Sequence, residues 1–248
     1  QNNLSTTGLL NSTIHQGKDL SYNNIMDADA AVSCVSEFKQ PGCVVIKHAN
    51  PCGAAVSDNV YDSFLKALNA DRLSAFGGIV ALNRECTTEI AKELSDFFIE
   101  IIVAPSFTKE SLEIFSSKKN LRVIELVSLD GFNDKTSVRN INGGLLLQET
   151  DTFTVDAKSL KIVTDSKISP NTYGTIEFGW TVLKYIKSNG ILIVKNNATL
   201  GVGAGQVSRV DSVDIAITKA SGDIKDSILL SDAFFPFRDS IDKIAKSG

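Results

Sequence analysis

A lysine and a histidine stand side by side at the end of an apolar segment, in the stretch VVIKHANPCGAAV from Val44 to Val56. The unperturbed pKa of histidine lies near neutrality, so His48 could act as a general base. Lys47 supplies a fixed positive charge, which could stabilise negative charge that develops in a reaction and would also disfavour a protonated His48. The pair therefore predicts proton abstraction beside a cation. A histidine that only hydrogen-bonds a loop is the alternative.

A glycine-rich stretch, LGVGAGQVSR, precedes a predicted helix. Backbone N–H groups at Gly201, Gly203 and Gly205 could hold an anion at the start of that helix. Gln206 stands where a dinucleotide-binding fingerprint would have its third glycine, so that motif is not predicted. A tight turn without a ligand is the alternative. Arg209, just beyond, could form a fork to a carboxylate or a phosphate.

Three phenylalanines cluster around a proline in SDAFFPFRD. Phe234, Phe235 and Phe237 could form a flat aromatic slot for a planar ligand, flanked by Asp239. A loop that packs into the core is the alternative interpretation.

The segments that must position these residues alternate between strand and helix patterns. CVVIKH, GIVAL, EIIVAP and LRVIELV are short apolar strand candidates, and amphipathic helical segments separate them. This order predicts an α/β fold with a mostly parallel sheet covered by helices, in which sites form at the carboxyl ends of strands. Lys47 and His48 follow such an end.

A second α/β unit begins after a polar, loop-rich stretch that starts near residue 151. We therefore predict two subdomains, residues 1–150 with the Lys-His motif and residues 151–248. The second subdomain is predicted to be incomplete, because its last helix has no following strand to pack on.

The composition excludes several classes of protein. The chain has 248 residues, of which 43% are hydrophobic and 22% charged, and its formal net charge is −4. No cluster of Lys and Arg predicts nucleic-acid binding, and no apolar run is long enough for a transmembrane helix. The four cysteines form no C-x-x-C pair, which argues against structural zinc. With no signal peptide at the start, this favours the cytoplasm.

Six spaced stretches, over essentially the whole chain, resemble one protein family. They are KHANPCGAAV, SAFGGIVALN, NINGGLLLQ, KSNGILIVK, TLGVGAGQVSR and SDAFFPFRDSID. Their order is similar to that in the AICAR transformylase domain of bifunctional purine-biosynthesis proteins. The resemblance implies transfer of a formyl group from the cosubstrate 10-formyltetrahydrofolate to the 5-amino group of AICAR, giving FAICAR in IMP biosynthesis. It also implies two cytidine deaminase-like three-layer subdomains, no catalytic metal, and a homodimer with a shared active site.

The resemblance also implies roles for particular residues. It makes His48 the proton acceptor and Lys47 the group that stabilises the transition state. The expected nucleotide contacts are Gly77, Glu100, Asn189, Arg209 and Phe234, and the expected folate contacts are Val210 and Asp239.

The sequence departs from the family pattern in ways that leave other functions open. An upstream R-Y-G-x-N-P-H-Q stretch, a glycine-rich segment beyond AKSG and the cyclohydrolase domain are absent. We therefore expect a transformylase domain truncated at both ends. One alternative is a nucleotide-binding fragment that has lost catalysis. Others are a zinc-dependent deaminase, suggested by the His-x-x-Pro-Cys string, and a scaffold whose glycines serve only packing.

Overall fold

Short helices and strands alternate along the chain. The computed structural model describes residues 8–129, 136–220 and 224–248. Its α-helices are Tyr22–Ser36 (α1), Val60–Ala70 (α2), Arg72–Ala75 (α3), Thr88–Ser95 (α4), Lys109–Phe115 (α5), Tyr173–Leu183 (α6), Arg209–Lys219 (α7) and Arg238–Ser247 (α8). Within those ranges no helix has the length and apolarity needed to cross a membrane.

The described strands are four to seven residues long. They are Thr13–Gln16 (β1), Gly42–Lys47 (β2), Asn50–Val56 (β3), Ile79–Leu82 (β4), Ile101–Ala104 (β5), Arg122–Glu125 (β6), Thr136–Ile141 (β7), Gly144–Glu149 (β8), Ile191–Lys195 (β9), Ala198–Gly203 (β10) and Ile228–Ser231 (β11).

Polar side chains fix where the first helices begin. The Ser21 hydroxyl accepts the N–H of Asn24, and the Asn24 side chain accepts the N–H of Ser21 in return, so α1 starts with a capping box. The side chain of Asn59 caps α2 by accepting the N–H of Asp62. Helix α2 is one of the amphipathic segments between the strands, and it buries Phe64 completely.

Nine of the described strands form one sheet, in the order β1-β6-β5-β4-β2-β3-β10-β9-β11. The pairs β4–β5 and β5–β6 are parallel, as predicted. The six other neighbouring pairs are antiparallel. The described sheet is therefore mixed, and the predicted parallel pairing is correct only for β4, β5 and β6.

Two tight hairpins account for much of this difference. His48 and Ala49 connect β2 to β3, and Asn196 and Asn197 connect β9 to β10, all four with φ between 50° and 57°. Two successive left-handed residues give the type I′ turn, whose twist matches that of antiparallel strands. Residue patterns predict no strand at β3 or β10, because glycine and proline are unfavourable inside most strands.

The strand order is repeated in reverse on the two sides of the boundary between β3 and β10. The order β4-β2-β3 on one side of this boundary matches β11-β9-β10 on the other. At the boundary, Ala55 of β3 pairs with Ala198 of β10. The sheet therefore continues between the residues on either side of the predicted boundary at 151. The division into 1–150 and 151–248 stays a prediction.

Helices cover both faces of the sheet and give three layers. Helices α1 and α6 pack on one face, where they bury Val35 and Val182. Helices α2 and α4 cover the other face with Phe64 and Leu94. Helix α7 packs on the opposite side of β9 from α6 and buries Val213. The α/β class is confirmed, and the likeness to cytidine deaminase stays a prediction.

The β7–β8 hairpin forms a separate two-stranded sheet. Its apolar side chains are largely in solvent, with Val138, Leu145 and Leu147 exposed by 57%, 65% and 70%. Val138 pairs with Leu147 across the hairpin, so these two and Leu145 share one face.

Candidate active site

The predicted catalytic pair lies at one edge of the sheet. Lys47 ends β2, and His48 begins the turn into β3. His48 is exposed and Lys47 is half-buried. The Nζ atom of Lys47 donates to the Phe76 carbonyl at 2.5 Å, in the segment before β4. Because an ammonium group has three donors, Lys47 keeps further N–H groups for a ligand.

The backbone of this turn is held by two side chains. The Asp27 carboxylate accepts the N–H of His48 at 3.2 Å through Oδ2 and the N–H of Ala49 at 2.8 Å through Oδ1. The Asn50 amide donates to the His48 carbonyl at 3.0 Å and accepts the N–H of Lys187 at 2.9 Å. The turn is therefore tied to α1 on one side and to the segment between α6 and β9 on the other.

Gly77 and Glu100 lie at the same edge of the sheet as Lys47. Strand β2 is antiparallel to β4, so the end of β2 lies beside the starts of β4 and β5. The N–H of Gly77 donates to the Phe98 carbonyl at 2.8 Å. The Glu100 carboxylate accepts the side-chain amide of Asn24 at 2.8 Å. Antiparallel pairing, rather than the predicted parallel pairing, therefore gathers these residues.

Asn189 and Arg209 meet in the second half of the chain. The Nη2 atom of Arg209 donates to Oδ1 of Asn189 at 2.6 Å, and its Nη1 atom donates to the Ser231 hydroxyl at 2.9 Å. Nη1 also forms an ion pair with Asp232, in which the Arg209 side chain is only 9% exposed. The guanidinium is thus held in one orientation by three protein groups.

The environment of Asp232 keeps it charged beside Arg209. Burial raises the pKa of this carboxyl, but hydrogen bonds from Ser188, Arg209 and the backbone of Gly190 outweigh that effect and lower the pKa below its usual value. The ion pair therefore persists well into the acid range.

The predicted folate contacts lie beside this arginine. Asn189, Arg209, Val210, Phe234 and Asp239 line one cavity of about 360 Å³. Phe234 is 80% exposed. Of the three phenylalanines predicted to form an aromatic slot, Phe237 joins Phe234 in lining this cavity, whereas Phe235 packs against the core under α7.

Lys47 and His48 line a different cavity, which also has a volume of about 360 Å³. Ala204 and Gln206 from the glycine-rich stretch line it too. The side-chain amide of Asn189, which lines the Arg209 cavity, donates to the Gln206 carbonyl at 2.8 Å, so a hydrogen bond links the linings of the two cavities. The structure thus brings the predicted site residues together in two groups. Lys47, His48, Gly77 and Glu100 form the first group, and Asn189, Arg209, Val210, Phe234 and Asp239 form the second.

The glycines of LGVGAGQVSR have a structural role that the anion-binding hypothesis did not foresee. Gly201 and Gly203 lie within β10 rather than in a loop before the helix. A Cβ atom on Gly203 would lie 1.9 Å from the Ser212 carbonyl oxygen, and one on Gly201 would lie 2.1 Å from that of Ala216. The two glycines therefore let α7 pack directly against β10.

Cys52, the cysteine of the His-x-x-Pro-Cys string, keeps its proton. Burial raises the pKa of its thiol to about 12, and the thiol donates to the Val45 carbonyl at 3.4 Å. Across residues 8–129, 136–220 and 224–248, no three His, Cys, Asp or Glu side chains are grouped to hold a metal ion.

Comparison with known proteins places the chain in a family. The family model described as AICARFT/IMPCHase bienzyme matches residues 1–219. The chain belongs to this family.

Curated relatives from the AICARFT/IMPCHase bienzyme family cover nearly the whole chain. Each is named bifunctional purine biosynthesis protein PurH. The protein from Anoxybacillus flavithermus is 46% identical over 232 residues, which cover 94% of this chain and 45% of that protein. The protein from Thermoanaerobacter sp. is 43% identical over 248 residues, which cover 100% of this chain and 48% of that protein. The chain therefore spans about half the length of the curated relatives it matches.

Three residues of this family member were not singled out from the sequence. Asp27 binds the turn that carries His48, Asn24 binds Glu100, and Asp232 binds Arg209. From the sequence alone, Asp27 is one of the acidic residues that are common near the start of a helix. Only the packing of α1 beside β2 shows that Asp27 faces the turn.

Proposed function

We propose that this chain carries the AICAR formyltransferase activity of its family. The formyl group of 10-formyltetrahydrofolate would be transferred to the 5-amino group of AICAR, giving FAICAR and tetrahydrofolate. The observation that carries the proposal is the Lys47–His48 turn, which presents a base and a cation at the rim of a cavity. Membership of the AICARFT/IMPCHase family supports it.

His48 and Lys47 would address the two difficult parts of this reaction. The amine of AICAR is conjugated with its ring and carboxamide and is therefore a poor nucleophile. Removal of its proton by His48 during attack would accelerate the reaction by about 10²–10⁴-fold. The attack places negative charge on the formyl oxygen, and a well-placed donor such as Lys47 lowers that barrier by about 3–4 kcal/mol. The bond between N10 and the formyl carbon then breaks, and N10 takes up a proton.

The remaining site residues would bind the two substrates. Gly77, Glu100, Asn189, Arg209 and Phe234 are proposed to bind the nucleotide. Val210 and Asp239 are proposed to bind the folate. A guanidinium already held in one orientation would form a bidentate contact with phosphate at little entropic cost. The chain's own groups supply every role in this proposal, with no catalytic metal, and we place the enzyme in the cytoplasm.

We further propose that the active site forms between two copies of the chain. Lys47 and His48 line one cavity of the chain and Arg209 lines another, which supports assembly of a complete site from two subunits. The exposed apolar face of the β7–β8 hairpin, with Val138, Leu145 and Leu147, supports the same arrangement. An isolated two-stranded hairpin is marginally stable in water, so a partner surface would stabilise it.

Formyl transfer by the full-length protein tests the proposed activity. His48→Ala should lower kcat by about 10²–10⁴-fold. Binding of AICAR, measured by calorimetry, should stay within about threefold of the original, since His48 is assigned to proton transfer. Near-normal turnover of the variant would remove His48 from the mechanism.

Mixed dimers test whether the site is shared. Two full-length variants, His48→Ala and Arg209→Ala, are each expected to be almost inactive alone. A heterodimer of the two holds one site with both changes and one with neither, so it should recover up to about half of the original activity. Co-expression of two differently tagged His48→Ala chains is the matched control. If the mixed dimer is as inactive as this control, the site lies within one chain.

A further inference from the structure

We propose that Asp27 is a positioning residue for the Lys47–His48 turn. Its carboxylate holds His48 and Ala49 in the left-handed conformation that presents His48 to the cavity. This proposal rests on the proposed formyl transfer, and it assigns a role to a residue outside both groups of site residues.

The geometry ties one carboxylate to both N–H groups of the turn. Each Asp27 oxygen accepts one of them, from His48 at 3.2 Å and from Ala49 at 2.8 Å. Hydrogen bonds to an ionised acceptor are stronger than those between neutral groups. Asp27 is half-buried on α1, and the adjacent Ala28 and nearby Ala31 are buried in the core. The helix therefore fixes the carboxylate with respect to β2.

The turn needs such support because Ala49 is poorly suited to it. His48 has φ 54° and Ala49 has φ 57°. Residues other than glycine and asparagine adopt the left-handed region at a cost, and an alanine has no polar side chain that could compensate. The carboxylate offsets this cost by binding the N–H groups that the conformation turns toward it.

The second half of the chain provides an internal comparison. Its matching hairpin places Asn196 and Asn197 at the same two turn positions, with φ 50° and 57°. Asparagine is the preferred residue type for such turns, so this hairpin needs no helix carboxylate. Its side-chain contact is a different one, from the Thr175 hydroxyl to Oδ1 of Asn197 at 2.9 Å. The helix carboxylate is thus found at the turn that carries His48, the proposed proton acceptor.

The consequence for catalysis follows from the exposure of His48. An exposed imidazole is not held by core packing, so its direction depends on the backbone that carries it. Loss of the Asp27 carboxylate would free the turn to leave the left-handed conformation. His48 would then point toward the substrate amine for a smaller fraction of the time.

The test uses Asp27→Ala and Asp27→Ala/Ala49→Asn in the full-length protein. Asp27→Ala should lower kcat by about 10–100-fold, because small misplacements of a catalytic group have effects of this size. The KM values for both substrates should change by less than about threefold. The added asparagine favours the left-handed conformation without Asp27, so the double variant should recover most of the lost kcat.

Asn197→Ala is the matched control, since it puts an alanine into the equivalent turn without touching the catalytic residues. It should lower the melting temperature and leave kcat unchanged. Unchanged kcat in Asp27→Ala would overturn the proposal. Recovery of melting temperature without recovery of kcat in the double variant would also overturn it, since Asp27 would then only stabilise the fold.

Amide hydrogen exchange separates this proposal from the proposed function. The N–H groups of His48 and Ala49 should be protected in the original protein and exchange at least about tenfold faster in Asp27→Ala. Equal exchange in the two proteins would overturn the role of Asp27 whether or not formyl transfer is detected. Absence of formyl transfer in the original protein, with this exchange difference present, would instead overturn the proposed function.

Discussion

Arg209 lies in its cavity with both terminal nitrogens already bound by protein groups. Asn189, Ser231 and Asp232 accept its hydrogen bonds, and little of the side chain is exposed. This arrangement fixes the plane of the guanidinium before any ligand binds. Specificity for an anion at this position would then come from a prepared geometry rather than from charge alone.

Asp232→Asn tests this arrangement through its pH dependence. The folded-state pKa of Asp232 is below its usual value, so the carboxylate stabilises the fold fully above about pH 5. That stabilisation is lost as the pH falls through the lowered folded-state pKa. At pH 7 the variant should lose about 1–3 kcal/mol of unfolding free energy, and the difference should shrink toward pH 3.

Urea unfolding at the two pH values measures the effect. Asp165→Asn, in an exposed loop, is the control and should change the unfolding free energy by less than about 0.5 kcal/mol. A loss of the same size at pH 7 and pH 3 would show that Asp232 does not act through its charge.

Close packing of strand and helix sets the glycine pattern in both halves of the sheet. Gly53 in β3 and Gly203 in β10 each lie against a helix carbonyl, and a Cβ atom on either would approach that oxygen to 1.9 Å. Helix α2 covers β3, and α7 covers β10. Gly203, one of the glycines that suggested an anion-binding loop, therefore allows α7 to pack on β10, as Gly53 allows α2 to pack on β3.

Gly203→Ala should lower the unfolding free energy by about 3 kcal/mol or more, because backbone atoms of α7 must move to admit the methyl group. Gly174→Ala is the control, since a Cβ atom there has no neighbour within 4 Å and alanine favours a helix. Thermal unfolding of both variants provides the measurement. A stable Gly203→Ala protein would show that α7 does not pack as closely as described.

Local patterns predicted the longer helices and the strongly apolar strands but not the single-turn helix α3, because amphipathic stripes and apolar runs are local properties. They did not predict β3 and β10, since these strands contain Pro51 and several glycines, which are unfavourable inside most strands. Pairing directions depend on turn geometry and on distant contacts, so the antiparallel centre of the sheet was also missed. The Lys-His pair could be identified from residue type, whereas Asp27 could not, because its role depends on how α1 packs beside β2.

At the scale of the whole molecule, the two groups of site residues and the β7–β8 hairpin support one arrangement. Each chain presents one cavity with Lys47 and His48 and another with Arg209. A symmetric dimer would contain two copies of each of these two cavities. The hairpin offers an apolar face of the kind that stable interfaces bury.

Val138→Ser/Leu147→Ser removes two apolar side chains from that face. In the full-length protein, we expect the variant to shift from dimer to monomer at micromolar concentration and to lose formyl transfer in proportion. Sedimentation velocity and the activity assay measure the two effects. Leu73→Ser, at an 87% exposed position in α3, is the control and should change neither. A variant that remains dimeric would exclude the hairpin from the interface.

The pairing of β3 with β10 also determines what would happen if the protein were cut into two fragments. Backbone pairing across this seam is short, and it includes the N–H of Val56 donating to the Asn197 carbonyl at 3.0 Å. A cut near residue 151 would leave each fragment with a bare strand edge, the kind of surface that recruits another chain. Either half expressed by itself would therefore expose an unpaired strand edge and would tend to aggregate.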